Sequence, residues 1–166
     1  YLKGEFLRDR LLNNPEPWFQ HTGWIAIRIS RIVDTLHRKG LLHLNITPDV
    51  IMLHETADRY ENGVRVFQPV LVDLGMLKAP GIITIEDVET FKKYIPANYL
   101  APELTVPGSE IGFKTDTYAL GSLVHEMLTG IQRPKYSTIV TSRDAPDKSP
   151  LIQRPDLPRA ELIIDT

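Results

Sequence analysis

The 166-residue sequence contains no cysteine, which excludes a disulfide, a thiolate metal site and a thiol nucleophile. It has no apolar run near the roughly 18 residues of a membrane span. Its formal net charge of -2 lacks the basic excess that favours nucleic acid or an anionic membrane surface. Residues 1–5 do not have the layout of a signal peptide, and we expect the sequence to be an excerpt of a longer, cytoplasmic protein, which could be tethered to a membrane by a part outside this sequence. The hydrophobic share of 42 % is that of an ordinary globular domain.

Apolar residues recur at steps of three and four in two parts of the sequence, and each part predicts an amphipathic helix. The first covers residues 22–39, where Thr22 can cap the start and Gly40 can close the end. The second covers about residues 116–129, with a cap at its first residue and a glycine stop after its last. The apolar positions are Ile25, Ile29, Ile32, Val33, Leu36, Leu120, Leu123, Val124, Met127 and Leu128.

Two short runs of branched apolar residues, 50–53 and 70–72, predict the strands of a β hairpin. Residues 61–63 between them carry a turn signal. Residues 74–99 show weak periodicity, and we interpret them as an extended surface segment. The fold class that follows is mostly α with a small β hairpin.

The last part of the sequence is rich in proline. Five prolines fall within residues 131–158 and predict a loop with little regular structure. Residues 157–166 predict the beginning of one more helix, which the sequence does not complete.

Four short motifs occur in a fixed order. They are His43-Leu44-Asn45-Ile46-Thr47-Pro48-Asp49-Val50, Asp73-Leu74-Gly75, Ala101-Pro102-Glu103 and Asp116-Thr117-Tyr118-Ala119-Leu120-Gly121. Each motif alone is weak, but their order and spacing together resemble the large (C-terminal) lobe of a eukaryotic-type serine/threonine protein kinase. The resemblance covers nearly all of residues 1–166 as a partial domain: the hinge, an activation segment at 73–103 and the central helix, with the final helices incomplete and the small lobe absent.

The resemblance implies that the catalytic groups are changed. The family's catalytic loop reads H-R-D-x-x-x-x-N, so Asn45 stands at the position of the catalytic Asp and Val50 at that of a metal-binding Asn. Leu44 replaces the Arg and Thr47 replaces a Lys near the transferred phosphate. Asp73 falls on the metal-binding Asp of the D-F-G motif.

Two of these replacements remove chemistry that a kinase uses. Asn45 cannot take up a proton, and loss of a general base costs about 10²–10⁴-fold in rate. Val50 cannot coordinate a hard cation, because such ions require oxygen ligands. Leu44 removes the Arg that pairs with a phosphorylated activation segment, and the Ile95-Pro96 pair replaces the Gly-Thr that helps to hold the substrate.

Other residues have structural or nucleotide-binding roles implied by the resemblance. His43 and Leu74 would stack in the apolar column between lobes, and Gly75 completes the D-F-G-like turn. Asp116 would bond to the backbone of the catalytic loop, and Glu103 would pair with an Arg beyond residue 166. At the hinge, the implied nucleotide-binding residues are Glu5, Phe6 and Met52, with the last two below an adenine ring.

Three residue groups allow two interpretations each. Asp73 is either a surviving Mg²⁺ ligand or a residue that shapes the turn. Residues 45–47 form a glycosylation sequon, but a catalytic loop of a cytoplasmic protein is the preferred interpretation. Lys92 and Lys93 could bind phosphate or a partner, although a solvated pair of charges is more common.

The resemblance supports three functional hypotheses. The first is a pseudokinase that acts as a scaffold or allosteric signalling partner of another protein, with ATP as a weakly bound ligand and Mg²⁺ doubtful. The second is a low-activity serine/threonine phosphotransferase that depends on Asp73. The third is a partial lobe that serves only as an interaction module. No nucleic-acid partner is expected, and the proline-rich residues 131–158 are expected to present a partner surface.

Overall fold

A computed structural model describes residues 3–13, 19–59 and 65–132. The predicted turn at 61–63, nearly all of the predicted loop at 131–158 and the predicted helix at 157–166 lie outside these residues. The helices are α1 (Leu7–Asn13), α2 (Phe19–His37), α3 (Ile85–Tyr94) and α4 (Phe113–Thr129); the strands are β1 (Gly4–Phe6), β2 (Ile51–Arg59), β3 (Arg65–Leu71), β4 (Gly81–Ile82) and β5 (Glu110–Ile111). Short 3-10 helices lie at Pro48–Val50 and Pro102–Thr105.

Helices α2 and α4 form the centre of the described structure and pack against each other. Their apolar stripes are buried together, as the three-four spacing predicts: Ile29 and Leu123 are both 0 % exposed. Burial of one such side chain stabilises the fold by about 1.5–3 kcal/mol. Both predicted helices are thus confirmed, with starts that lie three residues earlier than predicted.

Glycine ends both helices as predicted. Gly130 adopts the left-handed conformation (φ 68°), and its N–H donates to the Glu126 carbonyl. Gly40 has φ 72° and donates to the His37 carbonyl. The predicted caps at the other ends are wrong. Thr22 lies inside α2, and Asp116 lies in the first turn of α4, where Gly112 is the cap, because the Asp116 carboxylate accepts hydrogen bonds from a different part of the chain.

A three-stranded antiparallel sheet, in the order β1-β2-β3, follows α2. Its β2–β3 pair is the predicted hairpin, with Ile51 opposite Leu71, and both strands are longer than predicted. β1 adds to the other edge of β2, so that Phe6 lies opposite Met52. The sheet therefore pairs residues 4–6 with the strand that directly follows the 43–50 loop. A second sheet consists of β4 and β5.

The interpretation of residues 74–99 as an extended segment is wrong, because ten of them form α3. A capping box starts this helix: the Asp87 N–H donates to the Thr84 hydroxyl, and the Thr84 N–H donates to the Asp87 carboxylate. Val88 and Phe91, three residues apart, bury its inner face. The Lys78 ammonium lies 2.8 Å from the Asp87 carboxylate, which lowers the pKa of Asp87.

Among the residues that the structure describes, no helix combines the length and the apolar character that a membrane crossing requires.

Candidate functional site

A cavity of about 580 Å³ lies where the 43–50 loop meets the start and the middle of the 73–103 segment. Its walls come from three sources: the loop, the turn at Asp73, and α3 with the residues that follow it. The lining residues are Asn45, Thr47, Asp49, Val50, Asp73, Gly75, Met76, Thr90, Tyr94 and Pro96. The structure therefore brings together Asn45, Val50 and Asp73, the three residues that the sequence placed at a base position and two metal-ligand positions.

The 43–50 loop is fixed from below by one buried carboxylate. Asp116 is 0 % exposed and accepts hydrogen bonds from the His43 N–H (2.8 Å) and the Leu44 N–H (2.7 Å). The His37 Nε2 lies 2.8 Å from the same carboxylate. The predicted bond between Asp116 and the loop backbone is confirmed.

Leu44 has a φ of 64°, in the left-handed region, and it is the one non-glycine residue with positive φ in the described part of the chain. A branched side chain rarely adopts this conformation, which costs about 1–3 kcal/mol and persists where the surroundings enforce it. The two hydrogen bonds to Asp116 and the burial of Leu44 (1 % exposed) provide that enforcement.

His43 is buried and neutral. Burial lowers its pKa, and this effect outweighs the nearby carboxylates of Asp116 and Asp73. Its Nδ1 accepts the N–H of Asn45 at 3.3 Å, so the ring helps to shape the next residue of the loop. The geometry gives His43 a structural role in the loop.

Asn45 is 7 % exposed, and its Oδ1 has no hydrogen-bond partner within the described residues. An unpartnered buried oxygen costs about 1–3 kcal/mol. The side-chain amide of Asn45 accepts hydrogen bonds, but it is not a base and takes up no proton at neutral pH. Asn45 thus occupies the cavity wall with the shape of an aspartate and without its charge.

The two residues that the sequence analysis placed at metal-ligand positions differ from each other. Val50 is 8 % exposed, and its apolar side chain forms part of the wall. The Asp73 side chain is exposed, and its Oδ1 accepts the Gly75 N–H at 2.8 Å. A Cβ at Gly75 would lie 3.0 Å from this oxygen, so a glycine suits the turn. Asp73 therefore shapes the turn and still presents a carboxylate to the cavity.

An ionic network that the sequence analysis missed lies at the lower edge of the cavity. The Arg8 guanidinium of α1 reaches Asp49 of the loop at 3.2 Å and Glu126 of α4 at 2.5 Å, and the Tyr99 hydroxyl donates to Glu126. Burial acts to lower the pKa of Arg8, but the hydrogen bonds to Asp49 and Glu126 outweigh it and raise that pKa. Arg8 and Glu126 are far apart in sequence, so no local pattern indicates their contact.

The predicted hinge residues lie outside the lining of this cavity. Phe6 and Met52 are half-buried and directly opposite each other on β1 and β2, where side chains share a face of the sheet. Glu5 forms an ion pair with Arg10.

The structure bears on two further structural residues. Leu74 is 53 % exposed in the described part of the chain, and its stacking with His43 in an apolar column between the lobes stays a prediction. Glu103 accepts a hydrogen bond from the Thr115 hydroxyl at 2.7 Å, which ties the Pro102–Thr105 helix to the start of α4. Its pairing with an Arg beyond residue 166 stays a prediction.

The α3 helix forms the outer wall of the cavity. Thr90 and Tyr94 line it from α3, and Pro96 continues the wall after the helix. The buried Val88 and Phe91 hold α3 in this position, and α3 packs against the Pro102–Thr105 helix.

Comparison with known proteins finds individual protein kinases that resemble this chain. No protein-family profile matches the chain. It is 33 % identical over 111 residues to atypical protein kinase C of Drosophila melanogaster (67 % of this chain, 16 % of that protein) and 30 % identical over 137 residues to protein kinase C zeta type of Oryctolagus cuniculus (81 % and 20 %). It is 26 % identical over 131 residues to a probable serine/threonine-protein kinase of Clostridium perfringens (79 % and 17 %).

These matches cover about a fifth or less of each relative's length. They nevertheless include 67–81 % of this chain and agree with its mostly helical fold with small sheets. The chain therefore belongs to the protein-kinase-like family.

Proposed function

We propose that the chain is the large lobe of a pseudokinase, which acts as a scaffold or allosteric signalling partner of another protein. The observation that carries this proposal is the composition of one cavity. Asn45 stands where the family has its base, and Val50 stands where it has a metal ligand, and both line the same space as Asp73. A site of this shape without these groups favours binding over phosphoryl transfer.

The loss of the base and the loss of the metal ligand affect different parts of one transition state. Phosphoryl transfer relies on positioning of the groups and on neutralisation of phosphate charge by metal ions and cations. Removal of a base alone costs about 10²–10⁴-fold. Thr47 at the Lys position removes a further positive charge, so the deficits accumulate.

The donor set does not fit the Mg²⁺ pair of a kinase. Mg²⁺ requires oxygen ligands in near-octahedral geometry. Val50 supplies no oxygen, and the Asp49 carboxylate is already engaged by Arg8. The described residues contain no cluster of three or more His, Cys, Asp or Glu side chains that could hold a metal ion. Asp73 remains as a single carboxylate.

ATP is the ligand that this proposal assigns to the cleft above the sheet. Phe6 and Met52 form an apolar pair on which an adenine ring could lie. The phosphate-binding groups would have to come from a small lobe, which residues 1–166 do not include. We propose a cytoplasmic location for this domain, which agrees with its lack of cysteine.

A low-activity phosphotransferase is the alternative function, and the exposed Asp73 carboxylate favours it. Electrostatic stabilisation and positioning carry most of this chemistry, so the loss of a base need not abolish it. In this case Asp73 would be the residue on which the residual rate depends.

Transfer of labelled phosphate from ATP by the full-length protein distinguishes the two functions, with Asp73→Ala as the matched variant. We expect no transfer above the Asp73→Ala level, while fluorescent ATP binding and circular dichroism show that both proteins are folded. Transfer that the substitution abolishes would overturn the pseudokinase assignment.

A restoration experiment tests the same proposal from the other direction. Asn45→Asp returns a base but leaves Val50 and Thr47 unchanged, so we expect this variant alone to show no transfer. A clear gain from this single change would show that the metal site is already functional.

A further inference from the structure

A second cavity, of about 220 Å³, lies on the side of the molecule between α2 and the β3 edge of the sheet. We name it the arginine groove, after the two arginines on its helical wall. It is lined by Arg28, Arg31, Ile32, Thr35, Gln68 and Pro69. None of these residues lines the cavity around Asn45.

The groove carries two guanidinium groups on its helical wall. Arg28 and Arg31 are both exposed, and neither forms an ion pair with a carboxylate of the described residues. Arg38, on the turn that follows α2, is different because its guanidinium lies 2.8 Å from Asp34. The groove therefore carries two positive charges that no carboxylate of the described residues neutralises, although the chain as a whole has a formal net charge of -2.

The position of Arg28 is partly fixed. Its guanidinium carbon lies 5.6 Å from the centre of the Trp24 ring, one helical turn earlier, in a cation–π arrangement. A guanidinium that stacks on a ring keeps its N–H groups free to bind a carboxylate side on. Pre-positioning of this kind lowers the side-chain entropy that is lost when a partner binds.

The rest of the groove suits a peptide chain. Ile32 and the buried Pro69 give it an apolar floor, and the exposed Gln68 of β3 offers an amide donor and acceptor opposite the arginines. Arg28 and Arg31 are three residues apart on α2, so they lie on one face of the helix. Two arginines with this spacing suit acidic side chains along an extended peptide better than they suit one compact anion.

We infer that the arginine groove docks an acidic peptide segment of a partner protein, with aspartate or glutamate carboxylates on Arg28 and Arg31 and an apolar side chain on Ile32 and Pro69. This inference goes beyond the proposed scaffold function, since it names the chemistry of the partner. It does not depend on whether the cavity around Asn45 transfers phosphate.

Fluorescence anisotropy of a labelled peptide tests the inference. The probe is a twelve-residue peptide of glutamates interspersed with leucines, titrated with the full-length protein. We expect Arg28→Gln combined with Arg31→Gln to weaken binding by about tenfold or more, because two charge-assisted contacts are lost. Binding to the unaltered protein should also weaken as salt is raised from about 50 to about 200 mM.

The matched control is Arg38→Gln combined with Lys39→Gln, which removes the same charge from the turn that follows the same helix. This variant should bind the probe within about twofold of the unaltered protein, since single exposed charges contribute little. Equal weakening by both variants would overturn the inference and leave only an effect of net charge. Binding of the probe too weak to measure would overturn it as well.

Inorganic phosphate separates a peptide site from a site for small anions. At constant ionic strength, about 10 mM phosphate should leave the anisotropy of the bound peptide nearly unchanged. Complete displacement would overturn the peptide assignment in favour of a simple phosphate site.

Discussion

The underside of the 43–50 loop and its upper face, towards the cavity, are built in opposite ways. Beneath the loop, the Asp116 carboxylate satisfies the N–H groups of His43 and Leu44 within 2.8 Å. On the upper face, Asn45 has an oxygen without a partner in the described residues, and Val50 presents only carbon. In the proposed pseudokinase, the backbone framework of the loop is thus held in place while the groups that face the cavity carry neither a base nor a metal ligand. The loop shape and the catalytic groups are physically separable, because they depend on different residues.

The largest expected effect comes from removing the Asp116 carboxylate, which holds the loop from beneath. Asp116→Ala leaves two backbone N–H groups buried without an acceptor and releases the strained Leu44. At about 1–3 kcal/mol for each orphaned group, we expect the free energy of unfolding to fall by about 3–5 kcal/mol. Urea denaturation measures this loss.

Asp34→Ala is the control for this prediction, since Asp34 is exposed and pairs with the exposed Arg38. We expect its effect to remain within about 0.5 kcal/mol. Similar losses in both variants would mean that Asp116 does not hold the loop.

The next effect concerns the network that joins the loop to α4. Glu126→Gln weakens its bond with Arg8 and changes the acceptor of the Tyr99 hydroxyl. Because Glu126 is nearly buried, we expect a loss of about 2–3 kcal/mol in unfolding free energy. The exposed Glu89→Gln on α3 should change stability by less than about 0.5 kcal/mol. Equal stability of the two variants would show that the Arg8 network contributes nothing.

A smaller effect is expected in the wall of the cavity. Thr84→Ala removes the side-chain half of the capping box of α3 and should cost about 1 kcal/mol. Hydrogen exchange should speed up first at the amides of the first turn of α3. Thr90→Ala, farther along the same helix, is the control and should leave this turn protected. If exchange remained slow in Thr84→Ala, the capping box would not limit the opening of α3.

The smallest effect is the pH dependence that comes from His43. Burial lowers the folded pKa of His43, so the unfolded state binds its proton more readily. Stability is therefore fully present above the unfolded value of about 6.5 and falls as the pH drops through and below it. We expect a decline of less than about 1 kcal/mol for each pH unit below 6.5.

The His43→Gln variant isolates this contribution, because His21, whose pKa is also lowered by burial, is common to both proteins. The stability of the variant should decline less steeply between about pH 7 and pH 5. Parallel curves would mean that His43 is protonated equally in both states.

The sequence predicted the features that depend on local pattern. The stripes of α2 and α4, the hairpin and the glycine stops all follow from residues within one or two turns of each other. The motif order also placed Asn45, Val50 and Asp73 in one site, and the cavity brings them together. Helix α3 was missed because only Val88 and Phe91 mark its buried face, although the spacing of Thr84 and Asp87 was an available signal.

Long-range contacts were beyond prediction from pattern. Arg8 meets Glu126 across 118 residues, and Arg28 faces Gln68 across the groove. Such contacts depend on how the helices and the sheet pack and not on spacing along the chain. Asp116 illustrates how far prediction from sequence reached. The resemblance to the family predicted its contact with the loop, but its position inside α4 was not predicted.

The Arg8 network also has a mechanical consequence. Strand β1 ends at Phe6 and α1 begins at Leu7, so no linker separates the sheet edge from the helix that carries Arg8. The guanidinium joins α1 to Asp49 on the loop and to Glu126 on α4. A force applied to β1 would therefore be transmitted through α1 and the Arg8 guanidinium to Asp49, which lines the cavity.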